Sequence, residues 1–146
     1  MTASILRLSG VSAGYGPVRV LHDLNLEVSP GERIGLVGLN GHGKTTMLST
    51  IVGLTGWQDG SILFEGREIG GRRTHGMGRT TPGIVRQGIA LAPQGDAIFP
   101  GLSVRDNLDS GAYTKSSWRA RTRRREYILD IFPPLAKLLG QSAGTL

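Results

Sequence analysis

At 146 residues with no cysteine, the chain has the length of one ordinary domain. It is long enough to bury about 70% of its unfolded surface, and disulfides and thiolate metal sites are excluded. The N-terminus has no basic start followed by an apolar block and no apolar run nears the ~18 residues of a membrane span, so a soluble chain is expected, with any membrane link made through a partner. Seventeen basic residues, all arginine except Lys44, Lys115 and Lys137, stand against 11 acidic ones for a formal charge of +6.

Residues 5–15 and 24–28 are short and alternating, with Leu24, Leu26 and Val28 on one side, as expected of half-buried antiparallel strands. Ser29-Pro30-Gly31-Glu32 is a turn. Arg33 to Val37 is nearly continuous in apolar character and predicts a strand covered on both faces, as in a parallel sheet. Directly after it, Gly38-Leu39-Asn40-Gly41-His42-Gly43-Lys44-Thr45-Thr46 has the form G-x-x-x-x-G-K-[ST]. Glycines at 38, 41 and 43 let the backbone turn and bring N–H groups against phosphate oxygens. Lys44 supplies a positive charge for the β- and γ-phosphates, and Thr45 a hydroxyl for Mg²⁺. Residues 45–52 have helical spacing through Met47, Leu48, Ile51 and Val52, so the N-terminus of that helix adds its dipole to the loop's N–H groups.

Asp59-Gly60 and Glu65-Gly66 bracket a hairpin-like strand, Ser61 to Phe64. Residues 70–83 are rich in Gly, Arg and Thr and are expected to form an irregular surface loop without chemistry. Ile89 to Ala92 predicts a short buried strand ended by Pro93-Gln94-Gly95. Ser103-x-x-Asp106 has the spacing of a capping box and opens a helix through Leu108. A second helix is expected over 117–132, stopped by Pro133-Pro134, and a short third over 135–139. The run Arg119, Arg121, Arg123, Arg124 and Arg125 could track a nucleic-acid backbone, but no aromatic platform is interleaved with it, and a solvated helix face is expected.

This order of features resembles the nucleotide-binding domain of an ATP-binding cassette (ABC) transporter, and the likeness covers the whole chain. It implies an α/β, P-loop NTPase-like core with N-terminal antiparallel strands and an incomplete sheet over residues 1–100, then the start of an α-helical subdomain over 101–146. The implied cofactors are ATP and Mg²⁺. Tyr15, in Ala13-Gly14-Tyr15-Gly16, matches the aromatic that stacks on adenine; Gly38, Asn40, Gly41, His42, Gly43, Lys44, Thr45 and Thr46 would surround the phosphates. Leu91-Ala92-Pro93-Gln94 resembles the strand end bearing the family's glutamine, so Gln94 would join Thr45 at the metal and contact the surroundings of the attacking water. An amide suits that task because it both donates and accepts. Residues 98–108 resemble the subgroup serving branched-chain amino acid or urea uptake. The implied partners are membrane-embedded permease subunits and a second ATP-binding subunit, without direct contact to nucleic acid, which places the protein in the cytoplasm against the inner face of the membrane.

The tail Gly140 to Leu146 resembles the residues just ahead of the family's signature motif. The motif itself, the Walker B strand with its acidic pair and the switch histidine have no counterpart in the 146 residues. The expectation is that this stretch alone holds ATP·Mg²⁺ without hydrolysing it, because no catalytic residue lies within it, and that it is marginal in folding, because the family's Walker B strand neighbours the phosphate-loop strand and covers its apolar edge. Ile128-Leu129-Asp130 imitates a Walker B strand, but Ile131 follows and the spacing is helical. Leu8-Ser9-Gly10 imitates a signature motif without its second glycine, and His22, His42 and His75 stand apart from any ligand set. Two alternatives remain: a small P-loop kinase, against which stand the strands and Tyr15 ahead of the loop, and a non-catalytic nucleotide- or nucleic-acid-binding remnant.

Overall fold

The computed structural model describes residues 4–55, 57–71, 80–95 and 97–146. The chain divides into two compact units, Met1–Leu91 and Ala92–Leu146.

The first unit is built on an open, four-stranded antiparallel sheet in the order β2-β1-β3-β4, with β1 Leu6–Tyr15, β2 Val18–Val28, β3 Trp57–Phe64 and β4 Arg67–Gly71. Tyr15 pairs with Val18, leaving the two-residue hairpin loop Gly16-Pro17. Gly16 has φ 52°, the left-handed value such a loop favours, and the fixed φ of proline suits the next position. The expected strand over 24–28 is thus the second half of a longer one.

β1 shifts register against both neighbours between Leu8 and Ser12. Positive φ values fall at Gly10 (60°) on β1, Asp23 (47°) on β2 and Gly60 (82°) on β3. The backbone donors displaced by the bulge find side chains instead: Gly10 N donates to Asn25 Oδ1 at 2.9 Å and Asp23 N to Ser12 Oγ at 3.1 Å. A Cβ at position 60 would stand 2.4 Å from the Gly10 carbonyl oxygen, so only glycine fits where β3 crosses the bulge.

Two helices pack on this sheet, α1 Lys44–Ile51 and α2 Thr81–Arg86. Met47, Ile51 and Ile84 join Leu8, Val11, Ala13, Leu21, Ile62 and Ile69 in one core cluster. Fully burying an aliphatic side chain of this size contributes about 1.5–3 kcal/mol, which is what fixes the short α1 in place.

Two expected strands do not form. Arg33–Val37 and Ile89–Ala92 belong to no strand, and Val37 is 98% exposed, with Ile34 at 41% and Leu36 at 38%. A strand exists through its ladder, and among the described residues no strand lies beside either run; apolar character without a pairing partner leaves the chain extended and solvated. The expected loop over 70–83 is also corrected at both ends. Gly70 and Gly71 complete β4, and Thr81 opens α2, where Thr80 Oγ1 accepts from Gly83 N at 3.3 Å and a proline stands in the first turn. Residues 72–79, His75 among them, lie outside the described residues.

The second unit holds α3 Val104–Ser110, α4 Lys115–Arg119, α5 Arg121–Ile131 and the 3-10 segments Pro133–Leu138 and Ala143–Thr145. Ser103 caps α3 as its spacing predicts, accepting from Asp106 N at 3.1 Å and donating to Asp106 Oδ2 at 2.6 Å. The single helix expected over 117–132 is two helices. Thr114 Oγ1 accepts from Ser117 N at 3.1 Å and starts α4 earlier, and Ala120, at φ −98° and ψ 8°, breaks the run. Ile128, Leu129 and Asp130 lie in α5, as their helical spacing implies. Arg125 pairs with Asp109 and ties α5 to α3, while the Arg121 guanidinium lies 4.4 Å over the Trp118 ring, an aromatic that the reading of the arginine run left out.

Candidate phosphate-binding site

The site is the connection between Val37 and α1. Gly41 and Gly43 have φ 85° and 79°, left-handed values that let the chain reverse twice within three residues before the helix begins. His42 N donates to the Leu39 carbonyl at 3.4 Å inside the turn, and Met47 N donates to Gly43 O at 2.8 Å as the first helical bond. Lys44 Nζ folds back over the loop and donates to the carbonyl oxygens of Gly38 at 2.6 Å and Leu39 at 2.7 Å.

Gly43 stands at the N-cap without any side-chain hydrogen bond, and the first turn contains no acidic residue. The opening N–H groups of α1 have no intrahelical acceptors by construction, so an uncapped start presents donors together with the positive end of the helix dipole. An ammonium held beside such a start suits an anion with several oxygens, as a polyphosphate is. Thr45 is exposed at this end of the helix, and Asn40 and His42 are exposed on the loop.

The loop is seated on the β1–β2 hairpin. A Cβ at Gly43 would lie 3.0 Å from Leu21 Cδ2 and 3.6 Å from Val20 Cγ1, so β2 runs directly beneath the loop's last glycine. Leu21 pairs across the hairpin with Ala13, two residues before Tyr15, which places Tyr15 at the hairpin end nearest this contact. Tyr15 is 45% exposed, and its ring is available to a flat partner. The structure thus gathers Gly38, Gly41, Gly43, Lys44 and the start of α1 into one arrangement, with Tyr15 on the strand pair supporting it. Gln94 is an exposed residue of the second unit in a bend before Gly95, whose φ is 94°. Sequence reasoning did not find Leu21 and Val20 as the floor of the loop, because nothing in an apolar strand residue says which turn it will meet.

Among the described residues no group of three His, Cys, Asp or Glu side chains could hold a metal ion. A divalent cation here would therefore take most of its oxygens from phosphate and water, with a single hydroxyl such as that of Thr45 added, which is the habit of Mg²⁺.

The profile of the ABC transporter family matches residues 21–139. The chain belongs to the ABC transporter family. That family binds ATP, generally with Mg²⁺. Among curated relatives, the high-affinity branched-chain amino acid transport ATP-binding protein BraG of Pseudomonas aeruginosa is 35% identical over 144 residues, 97% of this chain and 58% of the relative. The Fe(3+) ions import ATP-binding protein FbpC of Serratia marcescens is 36% identical over 128 residues, 88% of this chain and 35% of the relative. The chain thus spans 58% and 35% of the lengths of these two relatives. A solved ATP-binding cassette of an ABC transporter superposes with a TM-score of 0.79 at 23% identity, covering 99% of this chain and 60% of that one, and so shares its fold. Among the described residues no helix is long and apolar enough to cross a membrane.

Proposed function

We propose that the chain is the nucleotide-binding portion of an ATP-binding subunit in an ABC importer. The observation that carries this reading is the Lys44 ammonium folded onto the Gly38 and Leu39 carbonyls beside a helix start with no cap and no acid. Gly38, Asn40, Gly41, His42, Gly43, Lys44, Thr45 and Thr46 hold the phosphates of ATP, and Tyr15 stacks on the adenine. The Thr45 hydroxyl holds Mg²⁺, which when bound neutralises phosphate charge, and Gln94, at the end of Leu91-Ala92-Pro93-Gln94, is taken as the family's glutamine. Residues 1–100 serve as part of the nucleotide-binding core, and residues 101–146 open the helical subdomain.

The whole protein works with permease subunits and a second ATP-binding subunit at the cytoplasmic face of the membrane, coupling ATP binding and hydrolysis to solute uptake. A branched-chain amino acid or a related small solute is favoured by residues 98–108 and by the breadth of the match to BraG. The match to FbpC, whose name specifies Fe(3+) ions, keeps the solute a question for transport assays with the whole protein.

The test of the site is titration of the chain with ATP and Mg²⁺ by calorimetry. Lys44→Ala is expected to weaken binding at least about a hundredfold, since it removes a charge-assisted contact to phosphate and leaves the loop carbonyls without their donor. Equal affinity in the variant would overturn the reading.

A further inference from the structure

Outside the phosphate loop, the hydrogen bonds of the second unit converge on Asn107. Its Oδ1 accepts from Phe99 N at 2.7 Å, and its Nδ2 donates to Phe99 O at 3.0 Å, to Ser103 O at 3.0 Å and, more weakly, to Leu102 O at 3.4 Å. One side-chain amide thereby braces the turn from Phe99 to Ser103, adding to the backbone bond that Leu102 N donates to Phe99 O at 3.0 Å. The turn needs such a brace, because Phe99 and Leu102 are 57% and 44% exposed and contribute little burial to hold it.

The C-terminal segment bonds to the same turn. Ala143 N donates to Leu102 O at 2.9 Å, Gly144 N to Pro100 O at 3.1 Å and Ser142 Oγ to Pro100 O at 2.6 Å. Val104 N donates in return to Gln141 O at 2.9 Å, and Ser103 and Ser142 form an isolated antiparallel bridge. The fit is close: Ala143 is 3% exposed, and a Cβ at Gly144 would stand 2.9 Å from Pro100 Cβ.

We propose that Asn107 is a positioning residue: by bracing the Phe99–Ser103 turn it fixes where residues 141–146 lie. A turn opened by loss of the amide no longer presents the Pro100 and Leu102 carbonyls in the register that Ser142, Ala143 and Gly144 require. The segment so placed is the one that resembles the approach to the signature motif, and the turn follows Gln94 closely in sequence. Movement of the turn is therefore passed to the segment. The functional weight of this coupling rests on the proposed importer reading; the coupling itself does not need nucleotide.

The experiment is amide hydrogen exchange read by NMR on the 146-residue chain without nucleotide. In Asn107→Ala the amides of Ala143 and Gly144 are expected to exchange about tenfold faster or more, while those of β1 and α5 keep their rates. Asn107→Asp, which keeps an acceptor for Phe99 N but lacks the donors, is expected to behave like the alanine variant. Reciprocally, Gly144→Ala should speed exchange at Phe99. A rise shared equally by β1 and α5, unchanged rates at Ala143 and Gly144, or unprotected tail amides in the unaltered chain would each overturn the proposal. Calorimetric ATP binding by the same variants is read separately, so a chain that fails to bind nucleotide still reports on the turn.

Discussion

At the scale of single residues, the proposed function gives Lys44 and Tyr15 different parts of the ligand. Lys44 would meet the charge that every nucleoside triphosphate carries, whereas an aromatic face senses only the base. Tyr15→Ala is therefore expected to weaken ATP by about tenfold, in line with about 1–3 kcal/mol per stacked base, and to leave inorganic triphosphate unaffected. Competition titrations with both ligands decide it, and equal loss for the two would remove Tyr15 from the site. The turn at Gly41 and Gly43 and the helix that follows were legible in the sequence, because left-handed backbone favours glycine and helical spacing is local. The bonds from Lys44 to Gly38 and Leu39 were not, since a lysine's spacing says nothing of which carbonyls its flexible stem will reach.

At the scale of elements, the sheet depends on a bulge shared by three strands. Gly60 lies where β3 crosses Gly10, with φ 82° and no room for a methyl group between backbones. Gly60→Ala is expected to destabilise the first unit by more than about 2 kcal/mol, as a lowered urea midpoint with unchanged slope. The sequence showed β1 plainly, through alternation, and the cap of α3, through Ser103 and Asp106, because both signals are local. It over-read Arg33–Val37 and Ile89–Ala92, whose apolar runs describe what a strand would bury but not whether a neighbour exists to pair with it. It under-read α2, whose start at Thr80-Thr81-Pro82 was hidden in a stretch rich in glycine and arginine. The division of 117–132 into α4 and α5 was likewise invisible, since Ala120 is a good helix former and the break reflects how Trp118, Arg121 and Arg125 are held.

Across the whole molecule, the antiparallel sheet and its two helices own the core, and the extended run from Ile34 to Leu39 does not share in it. Leu39 is 73% exposed and Val37 nearly fully so. An unpaired, apolar, extended segment is a template for pairing with another chain. Val37→Lys is accordingly expected to reduce self-association, seen as a lower average mass in light scattering, with the melting temperature moved by no more than surface substitutions usually move it.

The same stretch runs between two fixed points, the Ser29–Glu32 turn and the buried Met47 and Ile51 of α1. Between them the backbone is held mainly by its own turn and by Lys44, so its conformational freedom is an entropy still to be lost. A ligand gripping Gly38 to Thr45 would remove that freedom as part of binding, and the affinity measured would be the intrinsic one reduced by the fraction of chains already in the binding form. By linkage the reverse holds, and ligand at a hundred times its dissociation constant would return about 2.7 kcal/mol to the folded state. In this chain the nucleotide would then be a structural member as well as a ligand, doing for the extended run before the loop what a neighbouring strand does for a paired one.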